Sequence, residues 1–169
     1  LDYIHRAKTV AQANKLHFHC DGARLWNASV AANVSMKDYC TPFDSVSLCL
    51  SKGLGAPVGS VLVGSELFIE KAKRFRKLLG GGMRQAGIIA AAGIYAVENH
   101  FKRLKDDHAN AKLFAKILSE AEFLEVDLNS VETNMVFFKF RSQIDQNTII
   151  NKLAAKDVAI GAAGKFTYR

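Results

Sequence analysis

Two segments of the chain set an acid and an amine where one small aromatic molecule could meet both. In residues 16–21, Leu16, Phe18 and Cys20 share one face of a strand by the period-two rule, and His17, His19 and Asp21 share the other. Asp21 falls at the carboxyl end of this strand and is followed by Gly22. Arg24, three residues on, faces the same crevice from the following turn. Residues 45–50 read as a second, more apolar strand, whose carboxyl end leads into Ser51, Lys52 and Gly53. Ligands of α/β sheets bind beyond the carboxyl ends of the strands. An aspartate and a lysine leaving one sheet edge, about thirty residues apart, are what a pyridoxal phosphate (PLP) site requires. The lysine forms an imine with the cofactor aldehyde. The aspartate keeps the pyridine nitrogen protonated, so that the ring withdraws electrons. Gly53, Gly55 and Ala56 leave room for a flat ring. Plainer readings stand beside this one: Asp-Gly as a turn, Ser-Lys-Gly as a surface loop, and the glycines at 80–82 as a helix terminator. His17 and His19 form a His-x-His pair, but no third ligand follows nearby, so satisfied sheet histidines are the simpler account.

The elements that must position these groups are legible in outline. Residues 1–15 read as a helix, 16–20 as a strand, 27–34 as a short helix, 45–50 and 59–63 as strands. Ser65 is an N-cap with Glu66 in the first turn of a helix running to Leu79. Residues 84–104 read as a long Ala-rich apolar helix, buried between other elements, and 107–121 as a further helix. Strands are expected at 123–127, 133–140, 158–160 and 166–169, with a helix over 146–155. Near-continuous apolar strands in the first part argue for a buried parallel or mixed sheet, hence an α/β class. The later part has the character of a small α+β domain. The expected boundary is near residue 105, giving 1–105 and 106–169.

Three longer segments carry a family resemblance. His19-Cys20-Asp21-Gly22-Ala23-Arg24-Leu25-Trp26-Asn27-Ala28 is similar to the His-x-Asp-Gly-Ala-Arg segment of threonine aldolases. Ser51-Lys52-Gly53-Leu54-Gly55-Ala56-Pro57-Val58-Gly59-Ser60 resembles that family's lysine segment. Leu79-Gly80-Gly81-Gly82-Met83-Arg84-Gln85-Ala86-Gly87 resembles its glycine-rich segment. The resemblance covers residues 1 to about 105 strongly and the rest more weakly. It implies the fold-type-I PLP architecture of aspartate aminotransferase, with 1–105 as part of the PLP-binding large domain and 106–169 as an incomplete small domain. It implies retro-aldol cleavage of L-threonine or L-allo-threonine to glycine and acetaldehyde.

By the same resemblance, Lys52 would carry the imine and Asp21 would bind the pyridine nitrogen. Arg24 would hold the substrate carboxylate or the cofactor's phenolic oxygen. Arg84, read as lying at a helix start where amides favour an anion, would contact the cofactor phosphate across a subunit interface. Arg169 would correspond to a C-terminal arginine that binds the substrate carboxylate, in an Arg-x-Val-Thr-His pattern the chain does not reach; Lys165 competes only in another register. A homo-oligomer, a dimer or tetramer, is implied. The family's phosphate loop, stacking histidine and proton-abstracting histidine would lie upstream of Leu1. The 169-residue piece alone is therefore expected to be inactive. Two other readings remain at this point: a related fold-type-I PLP β-eliminating lyase or desulfurase, and a truncated, non-catalytic homologue.

Composition narrows the partners. The formal net charge is +7, but the basic residues are scattered over helical stretches such as 71–77 and 102–105. Solvated helix faces explain them better than a nucleic-acid surface. No apolar run approaches the roughly 20 residues that span a bilayer. Leu1 is not a starting methionine, and residues 1–16 read as an amphipathic helix rather than a leader. Upstream sequence is therefore expected, and with it any targeting signal. Cys20, Cys40 and Cys49 show no CxxC spacing, which argues against structural zinc and for free buried thiols in a reducing compartment such as the cytoplasm.

Overall fold

The computed structural model describes residues 1–142, 144–164 and 167–169. They form two compact units, Leu1–Leu104 and Lys105–Arg169. In the first, helix α1 (Asp2–Ala13) leads into strand β1 (His19–Asp21), helices α2 (Leu25–Ala32) and α3 (Met36–Cys40), strand β2 (Ser45–Cys49), strand β3 (Ser60–Gly64), helix α4 (Glu66–Leu78) and helix α5 (Gly87–His100). The sheet order is β1-β2-β3, with β1 and β2 parallel and β2 and β3 antiparallel. β2 is central: Val46 and Leu48 are 2 % and 4 % exposed and pack with Leu25 of α2. A second apolar cluster gathers Leu54, Ala56, Ala96 and Leu104.

Several expectations are corrected here. The first strand is shorter than 16–20. Lys15 takes a positive φ of 55° that closes α1, with the Leu16 amide donating to the Ala11 carbonyl at 2.9 Å. The ladder starts only where His19 meets Ser45. Before it, the Asp44 carboxylate accepts from the Phe18 amide at 2.7 Å and from Lys8 Nζ at 2.9 Å. The Phe18 bond, then the Lys8 bond, holds that carboxyl below its usual range. Its contribution to stability is present above the ordinary carboxylate range and lost as pH falls through the lowered value.

The long helix expected over 84–104 is broken. Gln85 has φ 49°, so α5 begins only at Gly87; a 3-10 turn (Phe101–Arg103) then separates it from α6 (Leu104–Ser119). Nor is α5 buried between elements: Gly93 and Ala96 are buried, while Ile88, Ile94 and Tyr95 face outward. β3, also expected to be buried, lies at the sheet edge and is exposed along its whole length. Helix α3 was not anticipated, although Ser35 and Asp38 carry its signal: Ser35 Oγ accepts from the Asp38 amide at 3.1 Å. The Ser65 cap is present, accepting from the Phe68 amide.

In the second unit, α6 is followed by β4 (Leu124–Val126), β5 (Phe138–Phe140), α7 (Gln146–Ala154), β6 (Ala162–Gly164) and β7 (Thr167–Tyr168), with sheet order β4-β5-β7-β6. The strand expected over 133–140 is confined to its last three residues, because β4 offers only three partners. Residues 158–160 are not a strand: Asp157 turns at φ 59° and the Val158 amide closes α7 on the Leu153 carbonyl. Of the strand expected at 166–169, Thr167 and Tyr168 pair with β5, whereas Phe166, like Lys165, lies outside the described residues. Leu124, Phe138, Ile149 and Tyr168 make this unit's core around stacked aromatic rings. No helix among the described residues is long and apolar enough to cross a membrane.

Candidate active site

Parallel pairing of β1 with β2 sets the geometry. Asp21 is the last residue of β1 and lies in register with Ser47; β2 runs two residues further, to Cys49, before the chain turns out through Leu50 and Ser51 to Lys52. Both side chains therefore leave the carboxyl edge of one sheet from neighbouring strands, and both are exposed. Asp21 Oδ1 also accepts from the Ala23 amide at 3.2 Å, which orients the carboxylate over the turn.

Gly22 makes this closeness possible. Its amide donates to the Ser47 carbonyl at 2.8 Å, continuing the ladder past Asp21. A Cβ at this position would come within 2.9 Å of that carbonyl oxygen, 3.0 Å of Leu48 Cδ2 and 3.1 Å of Val46 Cγ1. The first of these atoms is backbone and cannot swing aside. Gly22→Ala is expected to destabilise the protein by about 1–3 kcal/mol, the usual cost of overpacking, and to displace Asp21. A fall in thermal midpoint together with weaker cofactor binding checks it; a fully wild-type melting curve would contradict it.

The loop carrying Lys52, residues 50–59, is folded rather than loose. The Leu50 amide donates to Gly59, Ala56 to Leu50 and Gly55 to Lys52, at 3.0, 3.0 and 2.8 Å. Gly55 takes φ 69°, a conformation costly for a residue with a Cβ. Leu54 is 1 % exposed and anchors the loop in the core, so the apolar transfer holding it in place is about 1.5–3 kcal/mol. Gly53 sits against buried Asn27 of α2: a Cβ there would lie 3.0 Å from Asn27 Oδ1. The Asp21 and Lys52 segments are thus packed on each other through α2. Sequence reasoning missed Asn27 in this role, although it stands three residues after Arg24, one helical turn along.

The other expected site residues fall as follows. Arg24 is half-buried at the amino-terminal cap of α2. Arg84 is exposed on a bend three residues before α5, so it does not stand at a helix start. Arg169 belongs to the second unit, where its backbone pairs in both directions with Gly161 at 2.8 and 2.9 Å. His19 Nδ1 is 2.8 Å from Ser45 Oγ, and His17 is exposed beside Asp44. Among the described residues no group of three metal-ligating side chains assembles. The three cysteines are free and half-buried. Burial, then the charges of Cys40 and Asp21, pushes the Cys20 thiol up, so it stays protonated and does not compete as a nucleophile beside Asp21. A cavity of about 640 Å³ opens at the other end of β2, near Ser45, Lys37 and Phe68, away from Lys52.

An exposed amine on a glycine-flanked loop and an exposed carboxylate on the adjacent strand tip thus stand at one edge of the sheet. The family model "Beta-eliminating lyase" matches residues 1–141. A Schizosaccharomyces pombe protein named "Probable low-specificity L-threonine aldolase" is 53% identical over 137 residues, 80% of this chain and 36% of that protein. Low-specificity L-threonine aldolase 1 of Arabidopsis thaliana is 44% identical over 161 residues, 89% of this chain and 45% of that protein. The chain thus spans less than half the length of these curated relatives. A crystal structure from Listeria monocytogenes, provisionally assigned as an L-allo-threonine aldolase, superposes with a TM-score of 0.83 at 20% identity, over 98% of this chain and 48% of that one. That likeness establishes the fold-type-I architecture expected from the sequence. With the family model spanning most of its length, the chain belongs to the beta-eliminating lyase family.

Proposed function

We propose that the whole protein is a PLP-dependent aldehyde-lyase that cleaves L-threonine or L-allo-threonine into glycine and acetaldehyde. One observation carries the reading: parallel β1 and β2 bring Asp21 and the Lys52 loop to the same sheet edge. The names of the relatives supply the substrate class. On this reading the unit Leu1–Leu104 is part of the PLP-binding large domain and Lys105–Arg169 part of the small domain.

PLP, when bound, supplies an aldehyde that captures amines and a ring that accepts the electron pair released when the Cα–Cβ bond breaks. The chain's own groups do the rest. Lys52 would hold the cofactor through its aldehyde, with Nζ as the amine. Asp21 would hold a proton at the cofactor's ring nitrogen, which strengthens the ring as an electron acceptor. Arg24 would offer its guanidinium to the substrate carboxylate or to the cofactor's phenolic oxygen. Arg84 would hold the cofactor phosphate, and a second subunit of a dimer or tetramer would complete that arrangement.

The test uses the full-length protein with PLP. Borohydride should fix a pyridoxyl phosphate mass onto the Lys52 peptide, and L-threonine should yield glycine and acetaldehyde in equal amounts. Modification elsewhere, or none, would remove Lys52 from this role. Turnover of serine or cysteine without threonine cleavage would replace the substrate.

A further inference from the structure

The turn that presents Lys52 is held by a side chain outside all three sequence segments. His100, the last residue of α5, lies with Nδ1 2.7 Å from the carbonyl oxygen of Leu54. A carbonyl only accepts, so Nδ1 carries the proton. The imidazole stands edge-on to Tyr95, with ring centroids 5.5 Å apart at 87°. It also lies against the turn itself: a Cβ on Gly55 would sit 3.7 Å from Nδ1. The Leu54 side chain is fixed in the core with Ala56, Ala96 and Leu104. Its carbonyl lies outside the strand ladder and takes its donor from His100. One residue on, the Gly55 amide donates back to the Lys52 carbonyl at 2.8 Å. The Leu54 carbonyl and the Gly55 amide belong to one peptide unit, so these two bonds together fix its orientation within the turn that carries Lys52.

The geometry points to His100 as a positioning residue for Lys52: its Nδ1–H locks the Leu54 carbonyl and so holds the 52–55 turn with the ε-amine facing the Asp21 edge. The inference rests on the assignment of Lys52 as the cofactor-binding amine. A side chain that merely filled space would be replaced by any residue of similar volume. A donor to Leu54 is replaced only by another donor at the same point. Asparagine offers one, because its amide nitrogen reaches the place of Nδ1; leucine and aspartate do not.

The experiment compares His100→Asn with His100→Leu in the full-length holoenzyme. His100→Leu should lower kcat about 10- to 100-fold, the range that loss of one bond to a buried acceptor spans, with KM for threonine within about twofold. At limiting PLP it should also lower the yield of borohydride-fixed Lys52. His100→Asn should recover most of both. If His100→Leu does not fold, His100→Asp takes its place, since it differs from asparagine in lacking the donor. A His100→Leu protein with wild-type kcat and labelling overturns the proposal. So does a His100→Asn protein that is no better than the leucine or aspartate variant, or that does not fold. Wild-type protein that gives no adduct on Lys52 sinks the functional assignment instead. An adduct on wild type with an unaffected leucine variant sinks the role of His100 alone.

Discussion

Lys52→Ala in the full-length protein is expected to lower kcat for threonine cleavage by about 10⁴-fold or more, the scale of loss when a covalent catalytic group is removed. It should also end borohydride labelling of the 50–59 segment. The size of the effect follows from the geometry. Lys52 is exposed at the end of β2, on a loop whose neighbouring amides are committed to Lys52, Leu50 and Gly59 carbonyls. No other lysine stands in residues 38–70, so no second amine on this loop can stand in. Folding should be little altered, because the Lys52 side chain packs into neither apolar cluster of this unit. An unchanged melting curve with lost labelling is the expected pair of results. Retained turnover would show that a different amine serves the cofactor.

Asp21→Ala is expected to cost about 10²–10³ in kcat, the usual worth of one preorganised electrostatic group, with a much smaller change in KM for threonine. On the proposed function Asp21 would hold the ring nitrogen's proton rather than capture substrate, so its loss should fall on the chemical step. The carboxylate is oriented by the Ala23 amide and sits beside a Cys20 thiol held protonated by burial. Asp21→Asn should resemble the alanine variant, since an amide cannot stabilise a protonated ring nitrogen by charge. Steady-state kinetics on the two variants check this. Near wild-type turnover in either would mean that another group holds the ring.

The parts of the site set by local pattern were legible in the amino-acid order. The strand end at Asp21, the apolar run before Lys52 and the Ser65 cap each depend on neighbours a few residues away, and each lies where expected within a residue or two. What was not legible depends on distant partners. Residues 16–18 alternate like a strand but have no ladder to join, because the Asp44 side chain takes the Phe18 amide. The Ala-rich run from 84 breaks at Gln85, where a left-handed residue has no compositional signal. β3 and α5 are as apolar as buried elements, yet exposure is decided by what packs on them, not by their own residues. His100 meets Leu54 across 46 positions of sequence, and no periodicity announces such a contact.

The parallel ladder between β1 and β2 has a consequence for how this protein can vary. Carboxylate and amine are spaced by hydrogen bonds across the sheet, not by the stretch of chain that joins them, and loop length costs little thermodynamically. Extra residues in the exposed turn at Asn33, between α2 and α3, should be absorbed with near-normal catalysis. One glycine inserted between Leu50 and Lys52 should abolish it, by rotating the amine off the edge. Assaying the two insertions side by side would show that tolerance to length change is uneven along this chain, generous in the crossover and nil at the strand tip.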